Sequence, residues 1–151
     1  MTNQELLRAS PEFSDILCHM NDPPAQLYWA GQPLTSWLAR PRVAIVGSQK
    51  VTAYGRQVTL QLASGLAQAG MVIISGLASG VDGLAHQGAL EAGGTTVAVL
   101  PCSLARLYPA HNEQLGKQIV KHGGTLISEY PRDTNYMNEY TFVAVTELSP
   151  A

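Results

Sequence analysis

Apolar residues in this chain gather into short unbroken runs, separated by longer stretches with helical spacing. Arg42-Val43-Ala44-Ile45-Val46, Met71-Val72-Ile73-Ile74, Thr96-Val97-Ala98-Val99-Leu100 and Thr125-Leu126-Ile127-Ser128 are rich in β-branched residues and too short for helices. Each predicts a strand covered on both faces, because a strand with one wet face would alternate apolar and polar positions. Between the first two runs, Val58, Leu62, Leu66 and Ala69 fall on one helical stripe that ends at Gly70. A second helix is predicted over Asp82 to Ala92, ended by Gly93-Gly94, and a third over Asn112 to His122, ended by Gly123-Gly124. A glycine just past each helix suits the left-handed cap.

Strands alternating with capped helices imply a parallel sheet joined by right-handed crossovers. The expected fold is α/β, a Rossmann-like, doubly wound and mainly parallel sheet. A fifth strand is predicted around Thr141 to Val145. Residues 1–40 read as a lead-in packed on the core, too small for a core of its own. There, Leu6, Leu7, Phe13, Ile16 and Leu17 predict one short amphipathic helix, stopped by Asn21-Asp22-Pro23-Pro24. Leu27-Tyr28-Trp29 reads as a short strand closed by Gly31. The division is thus a lead-in over 1–40, a core over 41–131 and a tail over 132–151.

With 151 residues, 46% hydrophobic and 13% charged, the chain has the composition of one folded domain rather than a disordered segment. Nine Lys+Arg against eleven Asp+Glu give a net charge of −2, which excludes a generic polycation but leaves room for a local basic site. Cys18 and Cys102 form no C-x-x-C; a single disulfide is open on paper, and reduced cytosolic thiols are the plainer reading. The first residues carry no cationic, then apolar, secretory pattern, and no apolar run approaches the ~20 residues that span a bilayer.

Ligands of such sheets bind beyond the carboxyl ends of the strands. Four loops leave those ends: Gly47-Ser48-Gln49-Lys50, Ser75 through Gly80, Pro101-Cys102-Ser103 and Glu129-Tyr130-Pro131. The first two are small and glycine-bearing, so their N–H groups can approach an anion; equally, they can be plain tight turns. Neither G-x-G-x-x-G nor the P-loop pattern occurs, which argues against dinucleotide or Mg-nucleotide binding. Lys50 reads as a crevice cation or a solvated loop charge. Asp82 opens a helix, where a carboxylate favours the dipole. His86 follows one turn later and reads as structural rather than as half of a catalytic pair. His111 reads as part of a helix N-terminal turn. No His/Cys/Asp/Glu cluster has metal spacing.

Several segments together resemble the DNA-processing protein A (DprA/Smf) family. They are Val43 to Ser48, Tyr54-Gly55-Arg56, Ser75 to Leu90, Glu91 to Leu100, Leu107-Tyr108-Pro109 with Asn112, and Ser128-Glu129-Tyr130-Pro131. The lead-in Asn21-Asp22-Pro23-Pro24 with Leu27-Tyr28 and Gly31 joins them, so the resemblance covers roughly residues 11 to 131. It implies a cytoplasmic protein that binds single-stranded DNA and loads a RecA-type recombinase during natural transformation. It implies no enzymatic activity, no metal and no cofactor, and action as a dimer. Gly47, Ser48, Gln49, Lys50, Arg56, Ser75, Gly76, Ser79, Gly80 and Tyr136 are the DNA- or phosphate-binding residues it suggests.

Two departures matter. The family's first loop usually reads Gly-Ser-Arg, its arginine on a DNA phosphate; here Gln49 takes that place with Lys50 beside it, and lysine binds phosphate only as a point charge. After Glu-Tyr-Pro the family carries an aromatic and an R-R-N-R-I-like run. Here Asn135 to Val143 holds no basic residue and includes Glu139, and the family's later strands and helices are not among the 151 residues. The expectation is a weakened single-strand binder. The alternatives are a Rossmann-like module sensing a nucleotide or phosphorylated ligand, and a truncated, inactive fragment. An enzyme of the lysine-decarboxylase-like kind would need a P-G-G-x-G-T motif, which is absent.

Overall fold

The computed structural model describes residues 3–7 and 26–131. Its strands are β1 (Asn3–Leu7), β2 (Gln26–Gly31), β3 (Arg42–Ala44), β4 (Val72–Ser75), β5 (Thr96–Leu100) and β6 (Thr125–Ser128). Its helices are α1 (Ala53–Gln68), α2 (Val81–Glu91) and α3 (Glu113–Lys121). The six strands form one sheet in the order β1-β2-β6-β5-β4-β3. The four strands expected from the apolar runs pair in parallel, with Ile74 opposite Val97 and Ala98 opposite Leu126. The Rossmann-like expectation holds. Gly70, Gly93 and Gly123 have φ of +91°, +71° and +87°, as the helix caps require.

From β3 to β6 each crossover steps one strand in the same direction. A constant hand then places the connecting helices on one face, so among the described residues the sheet is wound on one side and not doubly wound as the alternation of strands and helices suggests. Ile73 of β4 packs with Ala63 and Ala67 of α1 and with Ala85 and Ala89 of α2. Ala98 and Leu126 meet Ile119 of α3 on the same face. The opposite face, carrying Val72, Ile74, Val97, Val99 and Ile127, is covered by Leu34, Trp37 and Leu38 around a 3-10 turn at Leu34–Ser36.

The lead-in differs from expectation. Leu6 and Leu7 lie in β1, not in a helix, and pair antiparallel with Leu27 and Gln26. An isolated helix of that length is marginal, whereas the exposed edge of β2 offers a full ladder of backbone partners. Phe13, Ile16, Leu17, Cys18, Tyr136 and the predicted strand at Thr141 to Val145 lie outside the described residues. The short strand at Leu27-Tyr28-Trp29 is present as part of β2, antiparallel to β6.

The stripe of α1 is also rotated from its expected position. Thr59, Ala63 and Ala67 face inward, while Val58 and Leu62 are exposed. The cause is the close approach of α1 and α2. A Cβ added at Gly88 of α2 would lie 2.9 Å from the Leu60 carbonyl oxygen and 3.0 Å from the Ala63 Cβ. Only small side chains fit along that line.

Trp37 is fully buried, and its indole Nε1 has no hydrogen-bond partner. Truncation should cost about 3–5 kcal/mol through the cavity left under the sheet. Trp37→Phe is expected to stay within about 1 kcal/mol of the parent, because the lost area is offset by removing an orphaned donor. Urea midpoints of the two variants check this pair.

Candidate functional site

The carboxyl ends of the parallel strands form a crest of interlocked loops. The first leaves β3, and its backbone ladder runs one residue further, with Ile45 N–H donating to the Ile74 carbonyl at 2.9 Å. Gly47, Ser48, Gln49 and Lys50 then emerge exposed. The second loop, from Ser75 to Gly80, folds tightly against the first. Val81 N–H donates to the Ser48 carbonyl at 3.1 Å. Gly80, at φ +83° and ψ −128°, lies so close that an added Cβ would sit 2.3 Å from the Ser48 oxygen.

Beneath this junction lies Asp82, 3% exposed. Its Oδ1 has no hydrogen-bond partner. Burial pushes its carboxyl up to about 6, against the opposing pull of the Ser75 hydroxyl and the N–H groups of Gly47, Gly76 and Ala78. The Ser75 hydroxyl has one proton, and its oxygen lies 2.6 Å from the Ile45 carbonyl. A neutral Asp82 therefore completes the local pattern: its own O–H donates to Ser75, which donates to Ile45. The amides expected to cradle an anion are thus partly taken up within the protein, by a carboxyl group placed below them.

Two of the residues expected to bind, Ser75 and Gly76, are buried and act from below. Ser48, Gln49, Lys50 and Arg56 are exposed on the solvent side, and Ser79 and Gly80 are half-buried. Tyr136 lies outside the described residues. Arg40 and Arg42 serve the other end of the sheet. Arg40 donates to Thr95 Oγ1 at 3.0 Å, and Arg42 donates to the Leu38 carbonyl at 2.5 Å. Lys117 is paired with Glu113 at 3.3 Å. Among the described residues, the cations on loops or first turns at the crest are therefore Lys50, Arg56 and Arg106.

His86 is structural, as its sequence position suggests. It is wholly buried, with Nε2 against the Gly76 carbonyl and Nδ1 2.5 Å from Thr96 Oγ1. A carbonyl only accepts, so Nε2 carries the proton. Burial holds the ring neutral by lowering its pKa to about 4, opposed by the Gly76 bond. Cys102 is free and buried, and burial raises its thiol pKa.

The loop from β5 to α3, expected from the strand end at Pro101-Cys102-Ser103, carries His111 in a 3-10 turn (Ala110–Asn112), as its sequence position suggests; what sequence reasoning missed is that this loop is tied to the second crest loop. His111 Nε2 lies 3.0 Å from Ser79 Oγ, joining that loop to the second crest loop. Asn112 Nδ2 donates to the Leu77 carbonyl at 2.9 Å, a second tie between the same loops. These partners are 32 and 35 residues apart, and no local pattern marks them. Tyr108 stands 54% exposed and Tyr54, in the first turn of α1, 77% exposed. No group of three or more His, Cys, Asp or Glu suited to a metal occurs among the described residues, and none of their helices is long and apolar enough to cross a membrane.

The DNA processing protein DprA of Bacillus subtilis (strain 168) is 37% identical over 126 residues, which is 83% of this chain and 42% of that protein. Protein Smf of Escherichia coli (strain K12) is 35% identical over 132 residues, 87% of this chain and 35% of its own length. The chain thus spans under half the length of these relatives. Among solved structures, DNA processing protein A from Helicobacter pylori, described by its single-stranded DNA binding mode, superposes with a TM-score of 0.77. It is 37% identical and covers 97% of this chain and 66% of its own. DprA from Streptococcus pneumoniae superposes at 0.80 with 30% identity, covering 96% of this chain and 50% of its own. The family model for DNA recombination-mediator protein A matches residues 4–145, and the chain belongs to that family.

Proposed function

We propose that this chain binds single-stranded DNA at the crest of its parallel sheet and serves DNA uptake and recombination, without catalysis and without a cofactor. A RecA-type recombinase and a second copy of the chain are its proposed protein partners, in the cytoplasm. The observation that carries the reading is that Lys50, Arg56 and Arg106 are all exposed on loops or first turns leaving the carboxyl ends of the strands, in a fold shared with the Helicobacter pylori protein. Three scattered cations suit a flexible polyanion better than a compact ligand.

Binding is expected to be weak and strongly dependent on salt. Each phosphate neutralised on a single strand contributes a slope of about −0.7 in log affinity against log salt. Fluorescence anisotropy with labelled oligo(dT) should show binding at low salt that fades at moderate salt. Lys50→Ala and Arg56→Ala should each make the slope shallower by about 0.7. Unchanged slopes in both variants would move the interface away from the crest, and no binding by the parent chain at low salt would refute the reading.

A further inference from the structure

We propose that the loop between β5 and α3 is a base-stacking platform, on which Tyr108 receives the face of an unpaired base while Arg106 and His111 hold the flanking phosphates. This rests on the reading of the crest as a single-stranded DNA site and names residues that give the site its preference for unpaired bases. Leu104, Leu107 and Pro109 are buried, whereas Arg106, Tyr108 and His111, interleaved with them, are exposed. Leu107 is packed so closely on α3 that a Cβ added at Gly116 would lie 2.7 Å from its Cδ1. Asn112 anchors the far end to the Leu77 and Ala78 carbonyls at 2.9 and 3.3 Å. Tyr108 is therefore flanked by two buried anchors, so little ordering entropy remains to be lost when a base stacks on it.

The surrounding charges fit a nucleic acid. Arg106 lies two residues before Tyr108 and His111 three residues after it. His111 is fixed against Ser79 at 3.0 Å, which places its ring beside the second crest loop. Of the nearby acids, Glu113 is paired with Lys117 at 3.3 Å, and Glu129 leaves the end of the adjacent strand β6, next to Ser128, whose hydroxyl donates to the Cys102 carbonyl at the start of this loop. A cation, an aromatic face and an imidazole in sequence along one rigid loop are what a strand with splayed bases requires. Duplex bases are already stacked on each other and present no such face.

The test compares two probes of equal length on the full chain, labelled oligo(dT) and the same sugar-phosphate backbone without bases. Tyr108→Ala should weaken oligo(dT) binding by about ten-fold, within the range for loss of one stacked base, and leave binding of the abasic probe unchanged. Tyr108→Phe, which keeps the ring, should bind oligo(dT) as the parent does. Arg106→Ala should weaken both probes and flatten the salt slope. If Tyr108→Ala binds oligo(dT) like the parent, or loses both probes equally, the platform is refuted while the crest reading stands. A parent chain that binds neither probe at low salt refutes both.

Discussion

Replacing Gly80 with alanine is expected to cost about 3–5 kcal/mol of stability and to abolish any ordered arrangement of the first crest loop. Two effects add. At φ +83° and ψ −128° the backbone is in a region that only glycine occupies readily, worth about 1–3 kcal/mol. The new Cβ would also lie 2.3 Å from the Ser48 carbonyl oxygen and 2.5 Å from that of Gln49. Both are main-chain atoms, so relief requires moving the loop rather than rotating a side chain, and overpacking of this kind adds about 1–3 kcal/mol. Moving the loop also breaks the bond from Val81 N–H to Ser48 that starts α2. Gly65 provides the opposite control. It lies within α1 with nothing near its absent Cβ, so Gly65→Ala should stabilise by up to about 1 kcal/mol. Urea denaturation of the two variants should shift in opposite directions. A Gly80→Ala protein that melts with the parent would mean that the two loops are not interlocked.

The same contrast between size and hydrophobicity explains what was legible in the chain. The runs at 96–100 and 125–128 are strands over those same residues, and each helix ends two residues before its capping glycine, Gln68 before Gly70, Glu91 before Gly93 and Lys121 before Gly123. These features are local: a strand covered on both faces must be apolar throughout, and a helix must end. The face that α1 buries is not local. Val58 and Leu62 are more hydrophobic than Thr59 and Ala63, yet the latter go inside because Gly88 and Ala85 bring α2 too near for larger side chains. Leu6 and Leu7, adjacent in sequence, fit either period, and only the unpaired edge of β2 decides for a strand. At the crest, the loops were located correctly from strand ends alone. What they hold was not, because the fate of Asp82 depends on how the first loop lies over the second. A first-turn carboxylate and a buried one have the same sequence signature. Arg106 escaped notice because it follows the third strand, where no glycine-bearing turn drew attention, and His111 reads as a helix-start residue because its partner Ser79 lies 32 residues away in the chain.

Asp82 and His86, one turn apart on α2, should give opposite pH dependences that mask each other. Asp82 titrates at about 6 in the folded protein against 3.8 when exposed. The native state holds a proton that the unfolded chain releases, so its stabilisation is complete below about pH 4 and lost as pH rises through about 6. His86 runs the other way, titrating at about 4 against 6.5. Its stabilisation is complete above about pH 6.5 and lost as pH falls through about 4. Each arm corresponds to about 3 kcal/mol. Between pH 4 and 6 the two nearly cancel, and the parent chain should show little net slope from this pair. Asp82→Asn removes one arm and leaves the other, so relative to the parent its stability should fall by about 3 kcal/mol as pH drops from 6.5 to 4. His86→Gln should gain about as much over the same interval, after an initial loss at neutral pH from its bonds to Gly76 and Thr96. Exposed carboxylates titrate equally in parent and variants, so they vanish from the difference. Unfolding free energies from urea at several pH values, subtracted from those of the parent, measure each arm directly. Parallel profiles for all three proteins would mean that neither group is buried as described, and would remove the carboxyl group from beneath the crest.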